Sequence, residues 1–541
     1  MYIQPNSTIR ILHGIRWNPD YKDTVYWSDD SAKETYFISK TKYTLTEQSY
    51  QRAGSGVVRV QIPIDNLYDC NYLMFRNTSY ENKWFYAFIL GLTYVNNITT
   101  EITYAIDDMT TWFSNVDMNP CFVEREHVSS DVIGEHLEPE PISISNMTYR
   151  VPLHTDIMND DYSVILAVAD NDQISFSGFN IARGHVSGLY TGVLFISIDI
   201  TSAGGITQLN TLLDDIVNNN LTDSVVGLFM YPNSMFDTGV TPHREFYTVP
   251  RAYMYQSLDG YVPKNNKLFT YPYNFMEFSD DNGHSYDLRC ELFNDSENGF
   301  KFEIRGILSC EPKIICFPNN YLNNLNQIAY KITMSDFPQC AFAVDSYKAW
   351  VANRGKEFLD LEREQIRTNW IGKGVNYFSS IPSNVSGGGA SALLSTASSI
   401  VNLAVQGQRA LLDYERTNIQ FEQAYYAPDR VKGSNAGDAL AVTRLADFYF
   451  KQCCLTAEEA QRADDFLSMY GYAVNRVKIP NINVRQNWNF VKTRNSKVTS
   501  KDVNGCPADV VANINKIFND GVTFWMNPAN VGRYDLINNI L

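Results

Sequence analysis

The chain has 541 residues, which is more than one hydrophobic core usually serves, so the sequence predicts several lobes. Its 44 Lys and Arg residues stand against 60 Asp and Glu residues, giving a formal net charge of −16 at pH 7. That sign disfavours tight binding of nucleic acid or anionic membranes through bulk charge.

The first predicted region, residues 1–137, is rich in β-strand patterns. Residues 98–107 alternate between apolar and polar side chains with a period of two, which is typical of a half-buried strand. An aromatic run over residues 84–90 precedes them, and Asn96 and Asn97 tolerate the positive φ of a tight turn. The two strands are therefore predicted to form one long antiparallel hairpin.

The next two regions differ in their patterns. Residues 138–265 contain short apolar runs and a predicted helix over residues 206–218, which indicates an α/β lobe. Residues 266–350 return to alternation, for example over residues 301–305, and predict a second β region.

Residues 351–434 have the most unusual composition. Ala352, Leu359 and Ile366 recur at seven-residue spacing, which predicts an amphipathic helix. Residues 374–408 then lack any charged side chain, and a second helical pattern follows. A spanning helix needs about 20 predominantly apolar residues, whereas this run mixes Gly, Ser, Ala and Asn with apolar residues.

Three interpretations of the uncharged run stay open. Its small residues allow close helix contact, so several copies brought together would form a plug or insert as a cluster into a bilayer. The third interpretation is a flexible surface loop with a short core helix. The residues predicted to carry the plug or membrane-active role are Val375, Tyr377, Phe378, Ile381, Leu393, Leu394, Ile400, Val401, Leu403 and Val405.

Two helices are predicted in residues 435–541. Thr456 and Glu459 have the spacing of a capping box, and Gly471 ends the first helix. The second helix follows Pro507 and precedes an apolar strand over residues 522–525. The predicted inner faces are Ala460, Ala463, Leu467 and Tyr470 in the first helix, and Val510, Ile514, Ile517 and Phe518 in the second.

Short motifs of catalysis do not occur in the sequence. It has no phosphate-binding loop, no His-Glu-x-x-His helix and no Gly-x-Ser-x-Gly elbow. Glu124, Glu126 and His127 are of metal-ligand type, but Arg125 between the carboxylates more simply neutralises them. We therefore predict no catalytic residue, no metal site and no cofactor.

Adjacent carboxylates occur at residues 107 and 108, 160 and 161, and 464 and 465. A glycoside hydrolase needs two carboxyl groups that face one bond. Neighbouring residues on a strand point to opposite faces, so these pairs are predicted to be solvated surface groups.

Motifs near both ends carry a resemblance to a known family. At the N-terminal end they are residues 18–22, 62–65, 73–77, 82–88, 106–107 with Trp112, and 122–127. At the C-terminal end they are residues 470–472, 475–478 with Pro480, 489–491 and 517–523. With these motifs the sequence resembles the tail knob, or distal tail tube, proteins of small short-tailed phages that infect Gram-positive bacteria.

The resemblance implies a mainly β, multi-domain, ring-forming subunit of a homohexameric tube that continues the tail channel. Genomic DNA passes through it without specific binding, a neighbouring tail or collar protein adjoins it, and the host membrane and a cell-surface polymer are further partners. A loop at about residues 352–434 plugs the lumen and helps to penetrate the membrane. The run 374–408 is richer in Ser and Asn than the family pattern, which favours a plug over insertion.

Five segments follow from this resemblance, with the hairpin strands as the predicted tube wall, because a closed ring of subunits removes unpaired strand edges. They are an N-terminal β tube-wall region (1–137), an outer α/β insertion lobe (138–265), a second β region (266–350), a channel or membrane-active loop with helical arms (351–434), and a C-terminal α+β region that completes the tube domain (435–541).

Location and two other functions complete the expectations. The first residues show no secretory signal and the nine cysteines are scattered, which predicts assembly in the reducing host cytoplasm. The resemblance places the product at the virion tail tip. A tail-tip cell-wall hydrolase and a host-receptor-binding protein stay open as alternatives, each using the lobe at residues 138–263.

Overall fold

The computed structural model describes most of the chain outside one long segment. The described residues are 6–48, 56–78, 81–157, 161–170, 175–186, 189–199, 203–218, 221, 224–238, 243–294, 298–335, 337–338, 342–344, 430–432, 447–502 and 505–541. They form two compact units, each built from separate stretches. Unit 1 comprises Met1–Met147, Ser257–Tyr273 and Leu455–Leu541, and unit 2 comprises Thr148–Gln256 and Asn274–Cys454.

Unit 1 begins with nine described strands and two helices. The strands are β1 (Ser7–His13), β2 (Asp23–Val25), β3 (Thr41–Gln48), β4 (Val57–Val60), β5 (Cys70–Arg76), β6 (Phe85–Asn96), β7 (Thr99–Ile106), β8 (Val116–Met118) and β9 (Cys121–Glu126). The helices are α1 (Asp30–Ser39) and α2 (Asp108–Trp112).

The strands of unit 2 follow, and the chain then returns to unit 1. The strands of unit 2 are β10 (Met147–Tyr149), β11 (Leu153–His154), β12 (Tyr162–Ala169), β13 (Asn180–Val186), β14 (Leu189–Ile198), β15 (Val225–Pro232), β16 (His243–Val249), β17 (Asn274–Ser279), β18 (Ser285–Leu288), β19 (Phe300–Ile307), β20 (Lys313–Pro318), β21 (Ile332–Met334), β22 (Phe342–Val344), β23 (Arg430–Lys432) and β24 (Tyr449–Leu455). Its helices are α3 (Ala203–Asn218) and α4 (Arg251–Tyr255). Unit 1 ends with α5 (Ala457–Tyr470), β25 (Tyr472–Lys478), β26 (Trp488–Arg494), β27 (Val498–Ser500), α6 (Ala508–Asp520) and β28 (Val522–Trp525).

A six-stranded antiparallel sheet of order β3-β1-β5-β6-β7-β4 dominates the first part of unit 1. Side chains on a strand alternate between two faces, so the sheet buries two separate cores. The core on one face consists of Ile9, Ile11, Val58, Val60, Leu73, Phe75, Phe85, Ala87, Ile102 and Tyr104, with Tyr43 and Leu45 packed against them. Both edge strands contribute to this one cluster, so the sheet curves around it.

The opposite face of that sheet packs against α1 and against a second sheet. Phe37 of α1 is fully buried there, beside Tyr72 and Tyr86 and beside Trp488 and Trp525 from the C-terminal stretch. The second sheet has the order β2-β28-β26-β9-β25, with β2 parallel to β28. A further pair, β27 and β8, is antiparallel.

The described residues of unit 2 form three larger sheets and one strand pair. Their orders are β13-β14-β12-β15, then β16-β19-β20-β21, then β10-β24-β17-β18 with β11 beside β24, and finally β22-β23. Leu212 and Ile216 of α3 pack against Val168 of the first sheet. The mainly β fold that the sequence predicts is confirmed.

Several predicted elements are present. The predicted helix at 206–218 is α3, which begins at Ala203, and the second C-terminal helix is α6. The first is α5, but its capping box is wrong: Thr456 makes no side-chain capping bond, and Glu459 instead accepts a hydrogen bond of 2.7 Å from the Ser145 hydroxyl. Tyr470, predicted on the inner face, is exposed.

The helical patterns within residues 351–434 lie outside the described residues. The five-segment division stays a prediction. Within the described part of the chain, no helix has the length and apolar character needed to cross a membrane.

Candidate functional site

The β6–β7 hairpin is the candidate functional site because its outer part carries apolar side chains into solvent. The strands pair in antiparallel register from Ala87 opposite Ile106 to Asn96 opposite Thr99, as the sequence predicts. The inner part of β6, residues 85–88, is buried. The exposed large apolar side chains of residues 90–98, here called the outer hairpin, are Leu90, Tyr94, Val95 and Ile98.

Two bulges and a short turn shape the outer hairpin. The register shifts at Leu90 and again at Val95, and each extra residue increases the local twist of the strand. The turn is held by Asn96, whose side-chain oxygen accepts from the Ile98 backbone N–H at 3.0 Å, and by Asn97, which accepts from a tyrosine hydroxyl. The sequence suggested a turn with positive φ, but no residue of this fully described turn has positive φ. The turn is stabilised by the side-chain hydrogen bonds instead.

Asp107 fixes the base of the hairpin. Its fully buried carboxylate caps α2 by accepting from the Thr110 backbone N–H at 2.9 Å and from the Thr110 hydroxyl at 2.7 Å. It also accepts from the Tyr72 hydroxyl at 2.8 Å and from the Trp17 indole at 3.2 Å. Burial raises the pKa of the Asp107 carboxyl, and these hydrogen bonds oppose that increase.

The predicted surface role of the paired carboxylates is wrong for two of them. Asp107 is the buried hub just described, and Asp464 is also fully buried. Asp464 accepts from the Tyr261 hydroxyl at 2.8 Å and from the Lys264 backbone N–H at 2.7 Å. Both carboxylates lie where backbone N–H groups need acceptors, which composition alone does not reveal. Asp160 lies outside the described residues.

The side chains of residues 124–126, in β9, form ion pairs with partners elsewhere in unit 1. Glu124 accepts from Lys492 at 3.1 Å and from Arg494 at 2.9 Å. The sequence suggested that Arg125 neutralises the neighbouring carboxylates. Instead, Arg125 pairs with Glu140 and donates to the Gly471 carbonyl at 2.6 Å. Among the described residues, no group of three or more His, Cys, Asp or Glu side chains could hold a metal ion.

The last two residues of the motif at 124–127, Glu126 and His127, also have polar partners within unit 1. Glu126 is fully buried, pairs with Lys478 and accepts from the Asn481 backbone N–H at 2.7 Å. His127 accepts at Nδ1 from the Phe490 backbone N–H at 2.8 Å, and its Nε2 lies 3.0 Å from the Ser468 carbonyl. That pattern fits a neutral ring protonated at Nε2, and burial lowers the pKa of His127 to about 3.

Glu140 was missed by the sequence analysis. Its fully buried carboxylate pairs with both Arg125 and Lys267 and accepts from the Ala473 backbone N–H at 2.8 Å. Three stretches of unit 1 therefore meet at one side chain. No local pattern marks Glu140, because its partners are 15, 127 and 333 positions away along the chain.

All ten residues predicted for the plug or membrane-active role, from position 375 to position 405, lie outside the described residues. The structure therefore neither groups nor separates them. Their role stays a prediction.

Comparisons with known proteins bear on the family directly. A family model described as the C-terminal domain of the tail knob protein gp9 of Bacillus phage phi29 matches residues 244–539. The chain belongs to the tail knob protein family. A second model, the N-terminus of the caudoviral major tail protein, matches residues 5–117, which include the β6–β7 hairpin.

Individual tail knob proteins match over their whole length. The tail knob protein gp9 of Bacillus phage phi29 is 25% identical, with 99% of this chain and 98% of the relative covered. The tail knob protein gp9 of Bacillus phage B103 is 24% identical, with both chains fully covered. This tail knob protein is thus a structural component of the phage tail.

The fold has a solved counterpart. The tail knob protein gp12 of bacteriophage C1 superposes with a TM-score of 0.66, covering 99% of this chain and all of that one at 14% identity. The likeness establishes a shared fold, consistent with the mainly β architecture described above.

Proposed function

We propose that this tail knob protein assembles as a closed homohexameric ring whose β-barrel lobes form a channel for DNA ejection at the tail tip. The outer hairpin carries the proposal. Exposed apolar side chains clustered on one hairpin mark an interaction surface in soluble proteins, and burying a large apolar side chain fully stabilises an interface by about 1.5–3 kcal/mol. The partner that fits best is a second copy of the chain.

The edge of the six-stranded sheet supports the same proposal. In the described chain β3 has a neighbour, β1, on one side only, and its residues alternate between exposed and half-buried. An unpaired edge presents a row of backbone donors and acceptors that another strand completes. In a ring of copies, a neighbouring copy pairs with the backbone groups of that edge and also covers the outer hairpin.

A pair of matched substitutions tests the ring. Ile98 is 56% exposed at the tip of the hairpin, and Ile537 is 76% exposed elsewhere in unit 1. We expect Ile98→Asp to lower the solution mass from the hexamer to the monomer, while Ile537→Asp leaves it unchanged, because only the first charge would be buried between copies. Light scattering measures both masses. Equal masses for the two variants would show that the hairpin is not part of the interface.

We propose that the segment at residues 351–434 plugs the lumen and perturbs the host membrane during ejection. Its support is the uncharged run 374–408 in an otherwise charged chain and the family to which the chain belongs. The membrane-active side chains are those ten apolar residues between positions 375 and 405.

Dye release from vesicles tests this role. The purified oligomer, intact or with residues 374–408 replaced by a short Gly-Ser linker, is mixed with anionic and neutral vesicles over a range of pH. Leakage by the intact protein alone supports membrane activity. If neither protein causes leakage, the segment is at most a plug and the protein a passive tube.

The remaining assignments belong to the same proposal. The protein acts without catalysis, assembles in the host cytoplasm, adjoins a neighbouring tail or collar protein, and meets the host membrane and cell-surface polymer at the virion tail tip. DNA passes without specific binding, for which the net charge of −16 provides a weakly repulsive wall. The five segments keep the roles set out from the sequence, with residues 1–137 as tube wall and 138–265 as outer lobe.

A further inference from the structure

Three side chains of unit 1, those of Glu126, Lys478 and Asn481, meet at one carboxylate oxygen. Glu126 Oε1 accepts a hydrogen bond from Lys478 Nζ and another, of 3.1 Å, from Asn481 Nδ2. The other carboxylate oxygen, Oε2, accepts from the Asn481 backbone N–H at 2.7 Å. A primary amine and a primary amide therefore share one acceptor, and the proposed ring does not require this arrangement.

The fold holds these three groups in place. Glu126 ends β9 and Lys478 ends β25, which are neighbouring antiparallel strands. Glu126 is fully buried, and the Lys478 side chain is 24% exposed. The Asn481 Nδ2 also donates to the His127 carbonyl at 3.3 Å, so two acceptors fix the orientation of the amide. Reacting groups that are held in this way need no chance encounter.

The largely buried ion pair favours transfer of a proton from Lys478 to Glu126. Two charges that leave water lose their hydration, and proton transfer within the pair removes both charges. Burial raises the pKa of the Glu126 carboxyl, while hydrogen bonds from Asn481 and Lys478 oppose that increase. In the described part of the chain, Glu126 is the only carboxylate that pairs with Lys478. The transfer therefore leaves Lys478 as a neutral amine, which is a nucleophile.

We propose that Lys478 and Asn481 form an intramolecular isopeptide bond, with Glu126 as the group that carries the protons. The neutral Lys478 Nζ adds to Asn481 Cγ, the carbon of the side-chain amide. Glu126 gives its proton to Nδ2 and takes the second proton from Nζ, so the Nζ–Cγ bond forms, the Cγ–Nδ2 bond breaks and ammonia leaves. Nothing is oxidised or reduced, and no further reactant is consumed. Each chain reacts once without turnover, which agrees with a structural protein.

A second lysine–asparagine contact in unit 1 lacks the proton carrier and serves as the internal comparison. The Lys83 Nζ donates to Asn115 Oδ1 at 2.7 Å. Among the described residues, no carboxylate accepts a hydrogen bond from either of these two side chains. Without such a group no proton reaches the leaving nitrogen, so we expect this pair to stay unlinked.

Peptide mapping of the purified full chain by mass spectrometry tests the bond. Trypsin cleaves after lysine and arginine but not after an acylated lysine. We expect one peptide that spans residues 477–485, uncleaved after Lys478 and lighter than its sequence by one ammonia. The peptide that contains Asn115 should keep its full mass. Cleavage after Lys478, or a full mass for the peptide that contains Asn481, would overturn the proposal.

Two variants assign the roles of the side chains. Glu126→Gln keeps the size of the side chain but carries no proton, so the linked fraction should grow at least about a hundredfold more slowly. Lys478→Arg keeps the positive charge without the amine, so its Asn481 peptide should keep the ammonia. Loss of ammonia in Lys478→Arg would indicate a succinimide at Asn481, and linking of Glu126→Gln at the original rate would exclude the proton carrier; either result overturns the proposal. Near-ultraviolet circular dichroism checks that both variants are folded, and the mapping of the original chain needs neither of them.

Discussion

The indole of Trp17 donates a hydrogen bond of 3.2 Å to the carboxylate of Asp107, 90 residues further along the chain. The same oxygen accepts from the Tyr72 hydroxyl. One buried carboxylate thus joins the segment before α1, strand β5 and the base of the β6–β7 hairpin. The Asp107 carboxylate is therefore one of the polar groups that anchor the base of the hairpin.

Asp107→Asn should destabilise unit 1 by about 2–4 kcal/mol, because one carboxylate oxygen becomes an amide donor that faces other donors. Asp65→Asn, at an exposed position, is the matched control and should cost less than about 0.5 kcal/mol. Urea unfolding followed by tryptophan fluorescence compares the two. Equal midpoints would mean that the network contributes nothing to stability.

His127 should make unit 1 sensitive to acid. Its pKa is near 3 in the folded chain and about 6.5 when unfolded, so its contribution is complete above pH 6.5 and is lost as the pH falls towards 3. Between pH 6.5 and 5 the loss is about 2 kcal/mol. His127→Gln keeps one acceptor and one donor, so its unfolding temperature should fall less over that interval when melting is followed by calorimetry. Parallel curves for the two proteins would contradict the assignment.

Asp447 in unit 2 should have the opposite effect on the pH dependence of stability from His127. Burial raises its pKa to about 6, while its carboxylate accepts from the Thr155 hydroxyl and from the Phe448 backbone N–H at 2.8 Å. Because the folded pKa exceeds the unfolded value, the stabilisation is present at low pH and is lost as the pH rises through about 6.

Two other charged or ionisable side chains, those of His154 and Asp156, lie beside Asp447. The His154 Nδ1 is 3.6 Å from Asp447 and 3.4 Å from Asp156, and the neighbouring tyrosines and cysteine on the packed strands are Tyr247, Cys316 and Tyr449. The difference in unfolding temperature between the original protein and Asp447→Asn should therefore grow in favour of the original as the pH falls from 7 to 5. A difference independent of pH would show that Asp447 does not titrate there.

Gly471→Ala should be among the most damaging single substitutions in unit 1. Gly471 has a φ of 68°, and a Cβ there would overlap the backbone carbonyl of Glu126. Gly532 has a similar φ of 81° with nothing within 4 Å of the added carbon, so Gly532→Ala isolates the conformational cost of about 1 kcal/mol. We expect Gly471→Ala to cost at least about 3 kcal/mol, or to prevent folding. Similar yields and melting temperatures for the two variants would refute the close approach.

The sequence predicted elements whose signals are local. The period of two over residues 98–107 predicted the hairpin, and the spacing of Ile514, Ile517 and Phe518 predicted the buried face of α6, because both patterns follow from backbone geometry alone. The family motifs predicted the correct family. Each of these inferences needs only residues close together in the chain.

The failures concern partners that are distant in the chain. Arg125 was assigned to its neighbours Glu124 and Glu126, yet its partner is Glu140, and adjacent side chains on a strand cannot easily converge. Thr456 and Glu459 have the spacing of a capping box, but Glu459 accepts a hydrogen bond from the Ser145 hydroxyl instead. Buried polar groups choose partners by tertiary position, which spacing along the sequence does not encode.

The parallel pairing of β2 with β28 has a consequence for synthesis. Asp23 accepts a hydrogen bond from the Trp525 indole, 502 residues away along the chain, and β9 has both of its sheet neighbours, β25 and β26, in the last stretch. A nascent chain on the ribosome therefore holds these strands without their partners until the final residues emerge. Prematurely terminated chains cannot close this sheet, so they should be cleared by host proteases rather than enter a virion.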